Sequence, residues 1–297
     1  MRRVIIVSCL LVLISFTGTS GVAAKAPEDT DAGPLFGGQW AWANNTSSQT
    51  STLNSLPAVA EDYTATWCTN CVKVEHTLED LQDSGEIQKY HFHRANDHED
   101  PFGSNNTEQH FSSRYTAGAP PIVVFNGTQK QIGSTPNGDS LQEDYRTLIG
   151  QSLNLGNGNT TLSWTSQDGG TGIVSWSVDL DMTQFEEYDM SVNIWFVEAA
   201  AEFSEGSNGE ETYPSIVTEI VEVGNVATGT ATVSIPTAYD GDDMQVHLMY
   251  HFTPIETTQD TGSEDKGEDD DSSSLSSISA IVSLSCIIAA AIFKWDN

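Results

Sequence analysis

The periodicity of apolar residues changes once along this chain, and the change limits the folds that it can adopt. From Leu56 to about Leu155, apolar runs of strand length alternate with stretches of helical period. After Gly156 the apolar residues recur at every second position, as in the run Val174, Trp176, Val178 and Leu180. A period of two is typical of half-buried strands, and a period near 3.6 is typical of amphipathic helices. The chain is therefore predicted to mix helices and strands first and to contain only strands later.

The first part predicts layers of helices on a sheet. Its strand signals cover residues 57–66, 87–94, 122–125 and 129–133, and its helical signals cover residues 70–83, 106–114 and 140–153. Alternation of strands with helices favours an α/β arrangement in which the helices cover the faces of the sheet. Residues 57–155 are accordingly predicted to form one α/β domain.

The second part predicts a small all-β domain. Further runs of period two lie at 190–196 and 246–252, with turn signals between the runs. Several short strands of this kind favour an antiparallel sandwich. A region of roughly 100 residues is large enough for a core of its own. Residues 157–254 are therefore predicted to fold as a separate β-sandwich.

The two ends of the chain predict export and a membrane tether. Residues 1–24 have the basic start, the short apolar run and the small-residue end of a secretory signal peptide. Residues 275–293 are uncharged and predict a single transmembrane helix, which an acidic stalk at 255–274 separates from the rest. The Pro-, Gly- and Ser-rich stretch at 25–56 is predicted to be a flexible spacer. The expected location is the cell membrane, with most of the chain extracytoplasmic.

The charge of the chain excludes one class of partner. The sequence has 42 acidic and 11 basic side chains, which gives a formal net charge of −31. Binding to nucleic acid requires clusters of Lys and Arg that displace phosphate counterions. Such clusters are missing from the sequence, so no nucleic-acid partner is predicted, and the acidic charge is interpreted as a solvated surface.

Two of the four cysteines are candidates for chemistry. Cys9 falls within the predicted signal peptide and Cys286 within the predicted membrane helix, which leaves Cys68 and Cys71. If this pair begins a helix, Cys68 lies at the helix N-terminus, where unpaired N–H groups and the helix dipole lower the pKa of a thiol. Cys71 then follows about one turn later, close enough to form or resolve a disulfide.

The pair has two other interpretations, a zinc site and a static disulfide. A structural zinc site needs about four ligands, and His91 and His93 would have to stand in for a second cysteine pair. A static disulfide is common in exported proteins, but a loop closed over two residues gains little stability from the crosslink. The two histidines are predicted to lie on a solvated strand edge beside an acidic loop. Neither a metal ion nor a cofactor is predicted.

The segment Glu61–Cys71 resembles the active-site segment of the thioredoxin superfamily. In that family a buried acidic residue stands six positions before the first cysteine and a tryptophan directly precedes it, and Asp62 and Trp67 match these positions. The family's cis-proline falls on Pro120 or Pro121, and a count without gaps favours the second. The chain also resembles secreted thioredoxin-like proteins with a C-terminal β domain.

The resemblance implies both a fold and an activity. It implies a thioredoxin-like α/β domain followed by the β domain, and a thiol–disulfide oxidoreductase that forms mixed disulfides with protein clients and is recycled by a redox partner. Cys68 would attack, Cys71 would resolve the mixed disulfide and Asp62 would exchange a proton with Cys71. Trp67 and the cis-proline segment would contact the substrate. The alternative is a non-enzymatic surface module for binding or adhesion, since a fold alone does not establish activity.

Overall fold

The structure is a computed structural model that describes residues 24–116, 118–151 and 153–256. In this part of the chain, 44% of the residues lie in strands and 18% in helices. The strands are β1 (Glu28–Asp29), β2 (Leu35–Trp42), β3 (Ser47–Thr52), β4 (Ala58–Thr64), β5 (Ile87–His93), β6 (Ile122–Phe125), β7 (Gln129–Ile132), β8 (Asn159–Gln167), β9 (Thr171–Val178), β10 (Tyr188–Glu202), β11 (Thr212–Gly224), β12 (Thr228–Ser234) and β13 (Met244–Pro254). The α-helices are α1 (Thr69–Asp83), α2 (Asn105–Tyr115) and α3 (Leu141–Ile149).

The described strands form two sheets. The larger has nine strands in the order β1-β7-β6-β4-β5-β11-β10-β13-β2, and the smaller has four in the order β12-β9-β8-β3. The larger sheet is mixed, because β5 lies parallel to β4 on one side and parallel to β11 on the other, while the other neighbours are antiparallel. Strand β5 therefore joins the early and late parts of the chain into one sheet.

Three groups of elements cover the two faces of the large sheet. On one face, α1 and α3 pack over β4, β5 and β6 around Val74, Leu78 and Tyr145. On the same face, the four-stranded sheet packs over β2, β10 and β13, with Trp164 and Trp176 in the shared core. Helix α2 covers the opposite face. The described residues, from 24 to 256, form one compact unit.

The predicted fold class, an α/β thioredoxin-like domain followed by a small antiparallel sandwich, is wrong. The chain is a mostly β, sandwich-like structure with a large mixed sheet, and it is not an α/β thioredoxin fold. The physical reason lies at β5, whose residues are almost all buried on both faces. A strand of this kind needs a neighbour on each edge, and the parallel pairing of His91 with Ile216 supplies the second one.

The outer segments also differ from their predictions. The stretch predicted as a spacer contains β1, β2 and β3, of which β2 is the edge strand beside β13. The described residues include no helix that is long and apolar enough to cross a membrane. The transmembrane helix predicted at 275–293 lies outside the described residues, as does nearly all of the predicted signal peptide, so the predicted span finds no support in the structure.

Buried hydrogen bonds join α2 to the large sheet. Glu61 of β4 is fully buried and lies 2.9 Å through Oε1 from Nε2 of His110 on α2. The hydroxyl of Tyr115, at the end of the same helix, donates to the other oxygen of Glu61. Burial lowers the pKa of His110 and raises the pKa of Tyr115 well above its ordinary value. Glu61 therefore points to the α2 face, whereas its neighbour Asp62 points to the α1 face.

We expect the protein to lose stability in acid because of the buried histidine His247. Its side chain is fully buried, with Nδ1 3.0 Å from the hydroxyl of Tyr90 and Nε2 2.9 Å from Oε1 of Gln245. Burial lowers the pKa of His247 to about 3. Below pH about 6.5 the unfolded chain takes up a proton that the folded chain does not, so the free energy of unfolding falls as the pH falls.

The measurement is urea unfolding at pH 7 and pH 5 on the wild type and on His247→Gln. The variant should lose about 2 kcal/mol less between the two pH values, from the cost of protonating one buried histidine. His98→Gln is the control, because the His98 side chain is 92% exposed, and it should lose as much as the wild type. An equal loss in His247→Gln would contradict the prediction.

Candidate functional site

The Cys68–Cys71 pair lies at the start of α1. The two residues form a disulfide, and Cys68 is the N-cap residue of the helix. Cys68 is 5% exposed and Cys71 is fully buried, while Thr69 and Asn70 between them are exposed. The first cysteine is therefore the more accessible one. It also lies where the free N–H groups of the helix stabilise a thiolate.

The segment before the pair is fixed from two sides. The backbone N–H of Thr66 donates to Oδ2 of Asp100 at 3.0 Å, in the connection between β5 and α2. The backbone carbonyl of Thr66 accepts hydrogen bonds from the backbone N–H groups of Ser207 and Asn208, in the connection between β10 and β11. The long β10–β11 hairpin thus helps to hold the disulfide segment in place. This contribution from the second half of the chain has no signal in the sequence around the cysteines.

Trp67 links the disulfide segment to the loop that follows β5. Its indole N–H donates to Oδ2 of Asp97 at 2.8 Å, and the guanidinium of Arg94 lies 5.9 Å from the ring centre. A cation at this distance over an indole face is attracted to the ring. Trp67 packs beside both cysteines and remains partly exposed. It is held in one orientation while keeping a surface open beside Cys68.

A groove lies next to the exposed turn of the disulfide. It has a volume of about 540 Å³, and its lining includes Asn70, which stands between the two cysteines, together with Pro120, Pro121 and Gly133. The Pro120–Pro121 peptide bond is cis, so the predicted cis-proline is Pro121. The groove brings the disulfide turn and the proline segment to one surface. An extended peptide in that groove would pass beside Asn70, in the turn that links the two cysteines.

A group of ionisable side chains lies between the large sheet and α1. Asp62 of β4 is fully buried and its Oδ2 lies 3.0 Å from Nδ1 of His91 on β5, which is 2% exposed. Glu75 of α1 belongs to the same group, since the potential ligand atoms of the three residues lie within 4.8 Å of one another. The hydroxyl of Thr64 donates to the Glu75 carboxylate. Asp62, His91 and Glu75 are called the buried triad below.

Burial sets the protonation of this triad. It raises the pKa of Asp62 and that of Glu75, because a buried carboxylate is poorly solvated. It lowers the pKa of His91 for the same reason, since the imidazolium is the charged form. All three shifts favour neutral side chains. A carboxyl group whose pKa is raised in this way is suited to exchanging a proton near neutral pH.

The buried triad is the group in the described part of the chain whose geometry would suit a metal ion. However, a lysine side chain already supplies a positive charge near the two carboxyl groups of the triad. Lys89, on β5 beside His91, is 1% exposed, pairs with Glu79 and acts electrostatically on both Asp62 and Glu75. The hydrogen bond between Asp62 and His91 also occupies one atom of each. We therefore treat the triad as a group that exchanges protons.

The structure brings the residues proposed from sequence into one region. Cys68, Cys71 and Trp67 pack together, and Pro120 and Pro121 line the groove at Asn70. Asp62 is buried on the face of β4 that α1 covers.

Three residues of this region, His91, His93 and Glu75, were misjudged or missed in the sequence. The predicted solvated edge at His91 and His93 is wrong, because both are 2% exposed and β11 covers that edge. Glu75 was overlooked, although its position four residues after Cys71 places it on the same helix face.

The chain is similar to known solved structures only at low sequence identity among the matches named below. Neither the protein-family models nor the curated proteins give a match to this sequence. Among solved structures, HBP35 of Porphyromonas gingivalis is 12% identical, with a TM-score of 0.45 over 72% of this chain and 79% of that one. A structural-genomics protein of Agrobacterium tumefaciens is 14% identical, with a TM-score of 0.42 over 71% and 97%. Both TM-scores are below 0.5.

Proposed function

We propose that the protein is a thiol–disulfide oxidoreductase that acts on protein clients through the Cys68–Cys71 pair. The observation that carries the proposal is the asymmetric disulfide in the first turn of α1, with Cys68 at the N-cap and Cys71 fully buried. A groove beside this turn offers room for a client segment. A helix N-terminus activates one thiol, and the second thiol lies within reach to complete the exchange.

The first step forms a mixed disulfide. In the reduced protein, the Cys68 thiolate attacks one sulfur of a client disulfide, so that a Cys68–client bond forms and the client S–S bond breaks. The other client sulfur leaves as a thiolate and takes up a proton. The partial positive charge at the start of α1 favours the Cys68 thiolate, because Cys68 lies at its N-cap.

The second step resolves the mixed disulfide. Cys71 attacks the sulfur of Cys68, the Cys68–Cys71 disulfide forms again, and the client leaves as a second thiolate. The proton of the Cys71 thiol passes to the Asp62 carboxylate, whose raised pKa suits it to accept a proton near neutral pH. Overall the pair loses two electrons and the client disulfide gains them. The reverse sequence oxidises a client dithiol, and a separate dithiol or disulfide partner recycles the pair.

We propose that this exchange takes place outside the cytoplasm. The support comes from the signal-peptide pattern in residues 1–24 and from the disulfide itself, since disulfides persist in oxidising compartments. The net charge of −31 gives no attraction to nucleic acid or to anionic lipid. Protein thiols and disulfides are the partners that the site supports.

The experiment that tests a redox role for the pair is its equilibrium reduction potential. The protein is equilibrated in dithiothreitol or glutathione buffers of known potential, and free thiols are counted after alkylation. We expect a value between about −270 and −120 mV, the range of catalytic pairs, because the N-terminus of α1 stabilises the reduced thiolate. A value below about −300 mV, which is typical of structural disulfides, would contradict the proposal.

A further inference from the structure

We propose that His91 is a positioning residue for Asp62 in the resolving step, an inference that rests on the proposed function. Its Nδ1–H would hold one carboxylate oxygen of Asp62 and leave the other free to exchange a proton with Cys71. Asp62 and His91 are paired residues of the parallel strands β4 and β5, so the backbone holds the two side chains side by side.

The hydrogen bond between the two side chains leaves specific atoms free. Oδ2 of Asp62 and Nδ1 of His91 are 3.0 Å apart, while Oδ1 of Asp62 and Nε2 of His91 are buried without a hydrogen-bond partner in the protein. A buried polar atom without a partner destabilises the folded state. Apolar side chains at these positions would stabilise the fold better, which points to a chemical use for the pair.

Cys71 lies on the face of α1 that carries Glu75. Cys71 and Glu75 are four residues apart on α1 and therefore lie on one face of the helix. Glu75 reaches the pair, with its carboxylate within 4.8 Å of the ligand atoms of Asp62 and His91. Cys71 is fully buried one turn earlier on that face. Cys71 and the buried triad therefore lie on the same side of α1, and the proposal places the resolving thiol next to Asp62.

Other charged and titratable groups also face Asp62. Lys89 and His93 of β5 favour its carboxylate form, Glu75 of α1 acts electrostatically on the same region, and Asp62 acts on Tyr145 of α3. A change at His91 leaves all of them in place. Because His91 also acts electrostatically on Glu75, a variant that keeps a donor but lacks the imidazole is needed to isolate the hydrogen bond to Asp62.

The choice of substitutions follows from the geometry of the ring. An Asn side chain places its amide N–H near the position of Nδ1, whereas a Gln side chain places it near Nε2. His91→Asn therefore keeps a donor for Asp62, and His91→Gln removes it. Loss of a donor to the carboxylate raises the pKa of Asp62. Loss of one hydrogen bond to a charged carboxylate corresponds to an upward shift of its pKa by roughly one to two units.

The experiment follows reduced protein mixed with an aromatic disulfide, dithiobis(nitrobenzoate), by stopped-flow absorbance. The first equivalent of coloured thiol reports attack by Cys68, and the second reports resolution by Cys71. We expect His91→Gln to keep the first phase, to slow the second about tenfold at pH 7 and to move its pH midpoint upward by about one unit. His91→Asn should restore both quantities. His247→Gln, the same substitution at an equally buried histidine elsewhere, should match the wild type in both phases.

Each outcome bears on a separate claim. If the wild type shows neither phase, the proposed function fails. If both phases occur and His91→Gln leaves the second phase and its midpoint unchanged, the role of His91 fails alone. If His91→Asn is folded by circular dichroism but shifts the midpoint by a full unit, positioning by Nδ1 is overturned. The pH midpoint of His91→Asn still tests the positioning role of His91 if His91→Gln does not fold.

Discussion

The variant Cys71→Ser should accumulate a mixed disulfide with a client protein, whereas Cys68→Ser should accumulate none. The structure makes the two cysteines unequal, because Cys68 caps α1 and is 5% exposed while Cys71 is fully buried. With Cys71 replaced, Cys68 still attacks but its product is not resolved. We expect the yield of trapped complex to differ by about tenfold or more, since only the thiolate at the helix N-terminus is activated.

Trapping is measured by adding the reduced variants to an excess of a client disulfide, such as insulin, and running non-reducing gels. The double variant that lacks both cysteines controls for other contacts. Bands that disappear when dithiothreitol is added identify the disulfide-linked species. Equal yields from the two single variants would remove the assigned roles, and a higher yield from Cys68→Ser would reverse them.

Local elements of the fold were predictable from the sequence. The helical signal at 70–83 corresponds to α1, the signal at 122–125 matches β6, and the signal at 87–94 corresponds to β5. In each of these segments the apolar residues follow the period of the element that forms. The core residues of α1, such as Val74 and Leu78, lie on the face that this period predicts. Short-range patterns therefore gave the elements but not their assembly.

The assembly depends on pairings that such patterns do not record. Strand β3 is almost entirely exposed and has no apolar residue, so its sequence looks like a linker although it pairs with β8 along its whole length. The pairing of β5 with β11 rests on the single register pair His91 and Ile216. It brings together residues more than a hundred positions apart. Because of these long-range pairings, the two regions that were predicted as separate domains contribute strands to the same nine-stranded sheet.

The candidate site was predictable only where its chemistry is local. The spacing of Cys68 and Cys71 is visible in the sequence, and so is the position of Asp62 before them. His91 was interpreted as solvated because an alternating strand with polar residues usually has one exposed face. Here α1 covers that face and β11 covers the edge, so the imidazole is buried beside Asp62.

Cys68→Ser is expected to abolish catalysis. Without the thiol at the N-cap of α1, no mixed disulfide forms, and the buried Cys71 is not accessible enough to replace it. The exchange rate should then fall to the uncatalysed rate of the reductant alone, a loss of several orders of magnitude for a nucleophile that acts covalently. Asp80→Asn, on the exposed side of the same helix, is a control that should keep the wild-type rate.

The most direct test of the central claim is the rate at which the wild-type protein catalyses reduction of insulin disulfides by dithiothreitol, with the Cys68→Ser and Asp80→Asn variants measured in parallel. The account predicts turnover well above the reductant alone for the wild type and Asp80→Asn, and no enhancement for Cys68→Ser. A wild-type protein that gives no enhancement, or a Cys68→Ser variant that is as active as the wild type, would contradict the assignment of thiol–disulfide exchange to this pair.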